Sequence, residues 1–239
     1  MAQPDRLRVA TWNLERKKPT APRGAEAVDY LHTKDADLIS LVETRTTFPA
    51  RGGHILFSAT PRGKRFADDE RKVALWSATP LELVEFDSAI DPTRFVAART
   101  TTALGEVLVL AICITWHMAE VTYHDGPKKK PWEEHLQYLE HLSDIFSTID
   151  EPVIVAGDFN QRTPRQKTGN KTAAEALDQV FAHLNIVTAG TLPGCTKPGI
   201  DHIALSRHFA ALNVEGWPHD VTGNRLSDHD GALADISLV

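Results

Sequence analysis

The sequence predicts an α/β fold with packed sheets, and three observations carry that expectation. Nine strand-like segments recur along the chain, helical patterns sit between some of them, and short hairpin-like turns such as TTALGE (101–106) join others. No long linker and no internal repeat interrupts the pattern, so residues 1–239 read as one domain.

The segments follow in order. LRVATWN (7–13), DLISLVE (37–43), HILFSA (54–59), KVALWSA (72–78) and RFVAART (94–100) are rich in Val, Ile, Leu and Thr and bounded by Gly, Pro or Asp. EVLVLAICIT (106–115) and PVIVAG (152–157) are almost continuously apolar, the mark of strands buried on both faces. IDHIALS (200–206) and GALADISLV (231–239) complete the set. Residues 24–33 form a short amphipathic helix candidate. The strongest helix is PWEEHLQYLEHLSDIFSTI (131–149): Pro131 suits a first turn, and Leu136, Leu139, Leu142, Ile145 and Phe146 recur at helical spacing. A third, TAAEALDQVFAHL (172–184), opens with Thr172 and Glu175 spaced as a capping box.

Bulk properties exclude several classes. The chain has 239 residues, is 42% hydrophobic and 24% charged, and carries a net charge of −6, so it is not a generally basic nucleic-acid binder; any polyanion site is a local patch. Two cysteines, Cys113 and Cys195, allow one bridge at most and no zinc spacing. The longest apolar run has eight residues, too few to span a bilayer, and MAQPDRLRVA lacks the apolar stretch of a signal peptide. A soluble, cytoplasmic, monomeric protein with no membrane partner is expected.

Polar residues capable of chemistry gather at strand ends. Asn13 and Glu15 end the first strand, Glu43 another, His117 a third, and Asp158 and Asn160 follow VIVAG. Asp201 opens a strand, and Asp228 and His229 precede the last. Each alone reads as turn chemistry or a solvated side chain. His202 reads as structural, and His135 and His141, six apart, as surface residues. Together, the ordered motifs Asn-x-Glu (13–15), Glu43, Asp-x-Asn (158–160), Asp201 and Ser-Asp-His (227–229) resemble the endonuclease/exonuclease/phosphatase family. This superfamily includes pancreatic-type deoxyribonucleases, AP endonucleases, sphingomyelinases and inositol-polyphosphate 5-phosphatases.

The resemblance implies a four-layer α/β sandwich: two mainly antiparallel sheets face to face, with outer helices. It also implies residue roles. Glu43 is the main metal ligand, with Asn13 and Glu15 holding the metal or its waters and Asp228 as a further ligand. Many relatives carry Asp where this chain has Glu15, which leaves that contact direct or indirect. Asp158 orients or deprotonates the attacking water, and Asn160 donates its amide to a phosphate oxygen or the nucleophile. His229 contacts the scissile phosphate and is held by Asp201. His117 resembles the strand-end histidine of deoxyribonuclease-I-like enzymes, with Glu70 as its partner. Converging carboxylates resist joint ionisation, and a hard divalent cation relieves them; oxygen-only ligands suit Mg²⁺ or Mn²⁺.

Basic runs follow the catalytic strand ends: Arg16 to Lys18, Lys128, Lys129 and Lys130, and Arg162 with Arg165. Clustered, they form a cationic rim suited to a polyphosphate substrate. Trp132, beside the second run, either stacks on a base or caps the following helix. The expected activity is metal-dependent phosphodiester hydrolysis, with nucleic acid as the favoured substrate. The alternatives are hydrolysis of small phosphorylated molecules or lipid head groups, and an inactive nucleic-acid-binding module.

Overall fold

The computed structural model describes residues 5–61, 63, 66–121, 127–221 and 223–239. All nine expected strands form: β1 (Leu7–Asn13), β2 (Leu38–Arg45), β3 (His54–Phe57), β4 (Glu70–Ser77), β6 (Phe95–Thr102), β7 (Gly105–Cys113), β8 (Val153–Asp158), β10 (Asp201–Ser206) and β14 (Gly231–Leu238). Five shorter or more exposed strands join them: β5 (Glu82–Leu83), β9 (Leu184–Ile186), β11 (Phe209–Trp217), β12 (Asp220–Val221) and β13 (Asn224–Arg225). The helices are α1 (Pro22–His32), α2 (Glu133–Ser147) and α3 (Lys171–Val180).

Two six-stranded sheets result. One runs β11-β14-β1-β2-β4-β3 and the other β5-β6-β7-β8-β10-β9, while β12 and β13 form a separate hairpin. Among the described residues only β1 with β2 and β7 with β8 pair in parallel; the other pairings are antiparallel. Side chains alternate across each strand. In β1, Leu7 and Val9 face the core between the sheets, where they join Val42, Val73, Val109, Ile154 and Ile203. Ala10 and Trp12 face the other way, against Ala27, Val28 and Leu31 of α1. On the far side, Leu108, Leu110 and Ile112 of β7 and Val155 of β8 pack against Leu139, Leu142 and Ile145 of α2 and Leu177 of α3. The layers are therefore α1, sheet, sheet, then α2 with α3, the expected four-layer α/β sandwich. Among the described residues no helix is long and apolar enough to cross a membrane.

Several local expectations change. The cap of α3 is Asn170, whose side chain accepts from Ala173 N at 2.9 Å; Thr172 and Glu175 lie inside the helix and make no capping box. That helix stops at Val180, and Leu184 already belongs to β9. Trp132, in left-handed conformation at φ 72°, is the N-cap of α2, so Pro131 precedes the helix. Cys113 and Cys195 are both free thiols. Gly157 lies within β8 and pairs with Ile112 and His202, at φ 149°, where an added Cβ would lie 1.9 Å from Ile112 O. Glycine is what lets the strand run on to Asp158 at this close approach.

Candidate active site

The topology brings five strand ends to one place. β1 and β2 are parallel neighbours, so Asn13 and Glu43 emerge on the same edge; Leu14 N and Arg16 N donate to Val42 O and Glu43 O and hold the two tips together. In the other sheet, antiparallel pairing sets Asp158, the last residue of β8, opposite Asp201, the first of β10. The sheets meet here, with Asn13 Nδ2 donating to Asp158 Oδ2 at 3.3 Å. Ser227 ties the segment before β14 to the same point. Its hydroxyl donates to Asn13 O at 2.5 Å and accepts from His229 N at 3.1 Å, while Trp12 Nε1 donates to His229 O at 2.8 Å.

The centre of the arrangement is Asp158, Asp201 and His229, whose ligand-competent atoms lie within 4.8 Å of one another. His229 Nδ1 is 2.5 Å from Asp201 Oδ2, so the Nδ1 proton is committed there and Nε2 is the atom left for other partners. Burial disfavours the charged imidazole, but Asp201, Asp158 and Asp228 outweigh it and push His229 up to about 10. Burial and then Asp201 push the Asp158 carboxyl above the ordinary carboxylate range. Asn160 sits at φ 53°; its N–H donates to Asp158 Oδ1 at 2.8 Å and its Nδ2 to Ile114 O at 2.7 Å, which leaves a second amide N–H. Glu43 and Asn160 both adopt left-handed backbone, the kind of local strain that functional turns hold.

Asn13, Glu43, Asp158, Asn160, Asp228 and His229 line one cavity of about 610 Å³, together with Arg16, Lys72 and Arg94. Glu43 accepts from Lys72 Nζ at 2.6 Å, and Arg16 Nε lies 3.1 Å away. Burial pushes the Glu43 carboxyl up, but Lys72, Arg16 and Arg94 outweigh burial and hold it below its usual range. The oxygen donors fit a hard divalent cation. Asp201 Oδ1 is buried without a hydrogen-bond partner among the described residues, and it lies beside a second buried carboxylate, an arrangement a cation relieves. The one cysteine among the described lining residues, Cys113, has its thiol pushed up to about 12 by burial, so it stays protonated and offers no thiolate.

Other expected residues lie elsewhere. Glu15 turns to Lys17 and Arg225 and does not line this cavity. Glu70 is not the partner of His117: it is buried and pairs with Arg45 at 3.0 Å, across the β2–β4 ladder. The His117 ring is exposed, with ring centroids 5.4 Å from both Trp116 and Trp132, and its neighbours Trp116 and Met118 line the cavity instead. Lys129 is engaged by Gln137 and Glu134. Arg165 bonds carbonyls of its own loop, Gln166 O and Gly169 O. Arg162 joins Lys197, Asp201 and His229 around a small adjoining cleft of about 70 Å³. Lys128 and Lys130 are exposed.

Two groups escaped sequence reasoning. His135 is fully buried rather than on the surface. Its Nδ1 donates to Thr115 O at 2.6 Å, and its Nε2 accepts from the Gln161 side chain at 2.6 Å. On the other side, the Gln161 backbone O accepts from His202 Nε2 at 3.1 Å. Two buried histidines thus clamp the residue after Asn160. Burial pushes His135 down to about 4 and also lowers His202, so both stay neutral, as these bonds require. Lys72 and Arg94 also went unassigned; a lysine inside an apolar strand run was the available signal for Lys72.

The model of the endonuclease/exonuclease/phosphatase family matches residues 10–229. Similar solved structures include an AP endonuclease from Archaeoglobus fulgidus, with TM-score 0.69, 16% identity, and coverage of 95% of this chain and 98% of that one. The endonuclease domain of TRAS1, a telomere-specific non-LTR retrotransposon, gives TM-score 0.64 at 18% identity, covering 98% and 99%. The 3′ phosphatase NExo from Neisseria, bound to product DNA hairpin, gives 0.66 at 18%, covering 95% and 98%. No curated protein sequence matches the chain significantly.

Proposed function

Because this chain belongs to the endonuclease/exonuclease/phosphatase family, we propose that it is a metal-dependent phosphodiesterase acting on DNA or RNA. The observation that carries this reading is the cluster of Asp158, Asp201 and His229, of which Asp158 and His229 line one cavity with Asn13, Glu43, Asn160 and Asp228.

Asn13, Glu43 and Asp228 would hold the divalent cation, most simply Mg²⁺, with Glu15 kept to its ion pairs. When bound, the cation supplies Lewis-acid polarisation of a phosphoryl oxygen. Asp158 positions the attacking water and accepts its proton; the raised affinity of its carboxyl for a proton suits that task. The second amide N–H of Asn160 donates to a non-bridging oxygen. His229 carries its proton on Nε2 and donates it toward the phosphate, and Asp201 fixes the ring and stabilises its charge. His117, outside the cavity, contacts only flanking parts of a substrate.

The test incubates the purified full chain with plasmid, single-stranded RNA and a bis-aryl phosphate, under Mg²⁺, Mn²⁺ or EDTA. Metal-dependent cleavage of a nucleic acid is expected. His229→Ala should lose about 10³-fold in turnover while Mn²⁺ affinity persists. Near-normal rates in that variant remove the assigned role. A cavity of this size, walled by Arg94, Lys72 and Trp116, favours one other reading, a small phosphorylated molecule seated whole. Turnover of the aryl phosphate with both nucleic acids inert selects it, and nucleic-acid binding without any hydrolysis leaves only an inactive binding module.

A further inference from the structure

Glu43 faces its cavity already neutralised. The β2–β4 ladder sets Val42 opposite Val73 and Thr44 opposite Arg71, which places Lys72 across from Glu43. Lys72 donates to Oε1 at 2.6 Å and Arg16 sits 3.1 Å from Oε2. This is not a surface lysine grazing a carboxylate: its side chain is only 10% exposed, and its ammonium lies 5.2 Å from the Phe66 ring centroid. A cation that takes Oε1 meets a like charge already there.

A second observation shows where Lys72 can go. Lys72, Phe66 and Arg94 form a shared wall between the site cavity and a neighbouring cavity of about 430 Å³. Glu120 lines both cavities, and the neighbour adds Asp91, which pairs with Arg94, and Glu134, which pairs with Lys129. The flexible four-carbon stem of lysine lets its ammonium exchange one acidic surrounding for another without leaving the protein.

We propose that Lys72 is an internal occupant of the Glu43 position, which it yields to the divalent cation by turning into the neighbouring cavity. This rests on reading Glu43 as a metal ligand. Lys72 is then a positioning residue: it keeps Glu43 in place and charged when no cation is bound, and it weakens cation binding by competing for the same oxygen. A lysine that served only to hold β2 against β4 would leave metal affinity unchanged on removal, provided the fold survives.

The experiment measures Mn²⁺ binding to the full chain by electron paramagnetic resonance, with melting curves to verify folding. Lys72→Met should bind Mn²⁺ about tenfold more tightly than the unmodified chain. In the unmodified chain, saturating Mn²⁺ should raise acylation of Lys72 by an N-hydroxysuccinimide ester severalfold, read by mass spectrometry. Glu43→Gln should weaken Mn²⁺ binding. If it does, and Lys72→Met binds no more tightly than the unmodified chain, the displacement of Lys72 is overturned on its own. Should Lys72→Met fail to fold, unchanged Lys72 acylation on adding Mn²⁺ overturns it equally. Undiminished affinity in Glu43→Gln removes Glu43 from the metal site, and both ideas with it.

Discussion

Asp158 and Glu43 line the same cavity from different sheets, yet their surroundings push them in opposite directions. Burial raises both. Asp158 then meets Asp201, a like charge that raises it further, with His229 as the opposing cation. Glu43 meets Lys72, Arg16 and Arg94, which together outweigh burial. Strand ends deliver the carboxylates, but neighbours from other strands decide their protonation. Before any cation binds, one side of the cavity sets two acids against His229, and the other sets one acid against three bases.

That contrast breaks most sharply at His229. Asp201→Asn removes the charge that does most to raise its imidazole. In the metal-free protein, the affinity of His229 for its proton should fall ~100-fold, from a titration near about 10 toward the ordinary histidine range. Nuclear magnetic resonance of the imidazole reads this directly. Titration that stays near the original value assigns the effect to Asp158 and Asp228 instead. The sign also matters for stability. The folded-state value is raised, so the pair stabilises the fold below the unfolded value and loses that contribution as pH climbs through about 10.

A smaller effect separates the supports of the two sides. Behind Asp158 and Asn160, two neutral histidines clamp Gln161; behind Glu43 stand ion pairs. The folded-state value of His135 is lowered to about 4, so the unfolded chain takes up its proton first as pH falls. Stability therefore drops from about pH 6.5 down to about pH 4. Between pH 7 and pH 5 the loss from His135 is about 2 kcal/mol, and His202 acts in the same direction. Urea midpoints check it, and His135→Asn should flatten the slope.

Much of the frame was legible because apolar runs bounded by turn residues survive tertiary packing unchanged. β11 was not: FAALNVEGW is exposed or half-buried over most of its length, and its Ala, Asn and Gly residues give no clear alternation. The strand-end acids were legible because an acid directly after a buried strand stands out. Cross-strand partners were not, since they depend on register: nothing local says that Lys72 falls opposite Glu43 or that Arg45 takes Glu70. His135 looked like a surface residue because its partners, Thr115 O and Gln161, come from loops that only folding brings to α2.

The basic runs extend the same comparison to the rim, with the smallest effects expected. Sequence alone ranks Arg162, Arg165 and Lys128 to Lys130 together. The structure separates them: Arg162 shares a cleft with Asp201 and His229, while Arg165 and Lys129 are spent on local partners. For a single-stranded oligonucleotide, Arg162→Ala should lower the slope of log binding constant against log salt by about 0.7, one phosphate's worth, and Arg165→Ala should leave it unchanged. Replacing Lys128 and Lys130, which are exposed, should lower it only if substrate extends past Trp132 toward α2. Equal slopes for Arg162→Ala and Arg165→Ala would mean that the strand leaves the site away from His229, so the rim that reads phosphate would lie on the Glu43 side.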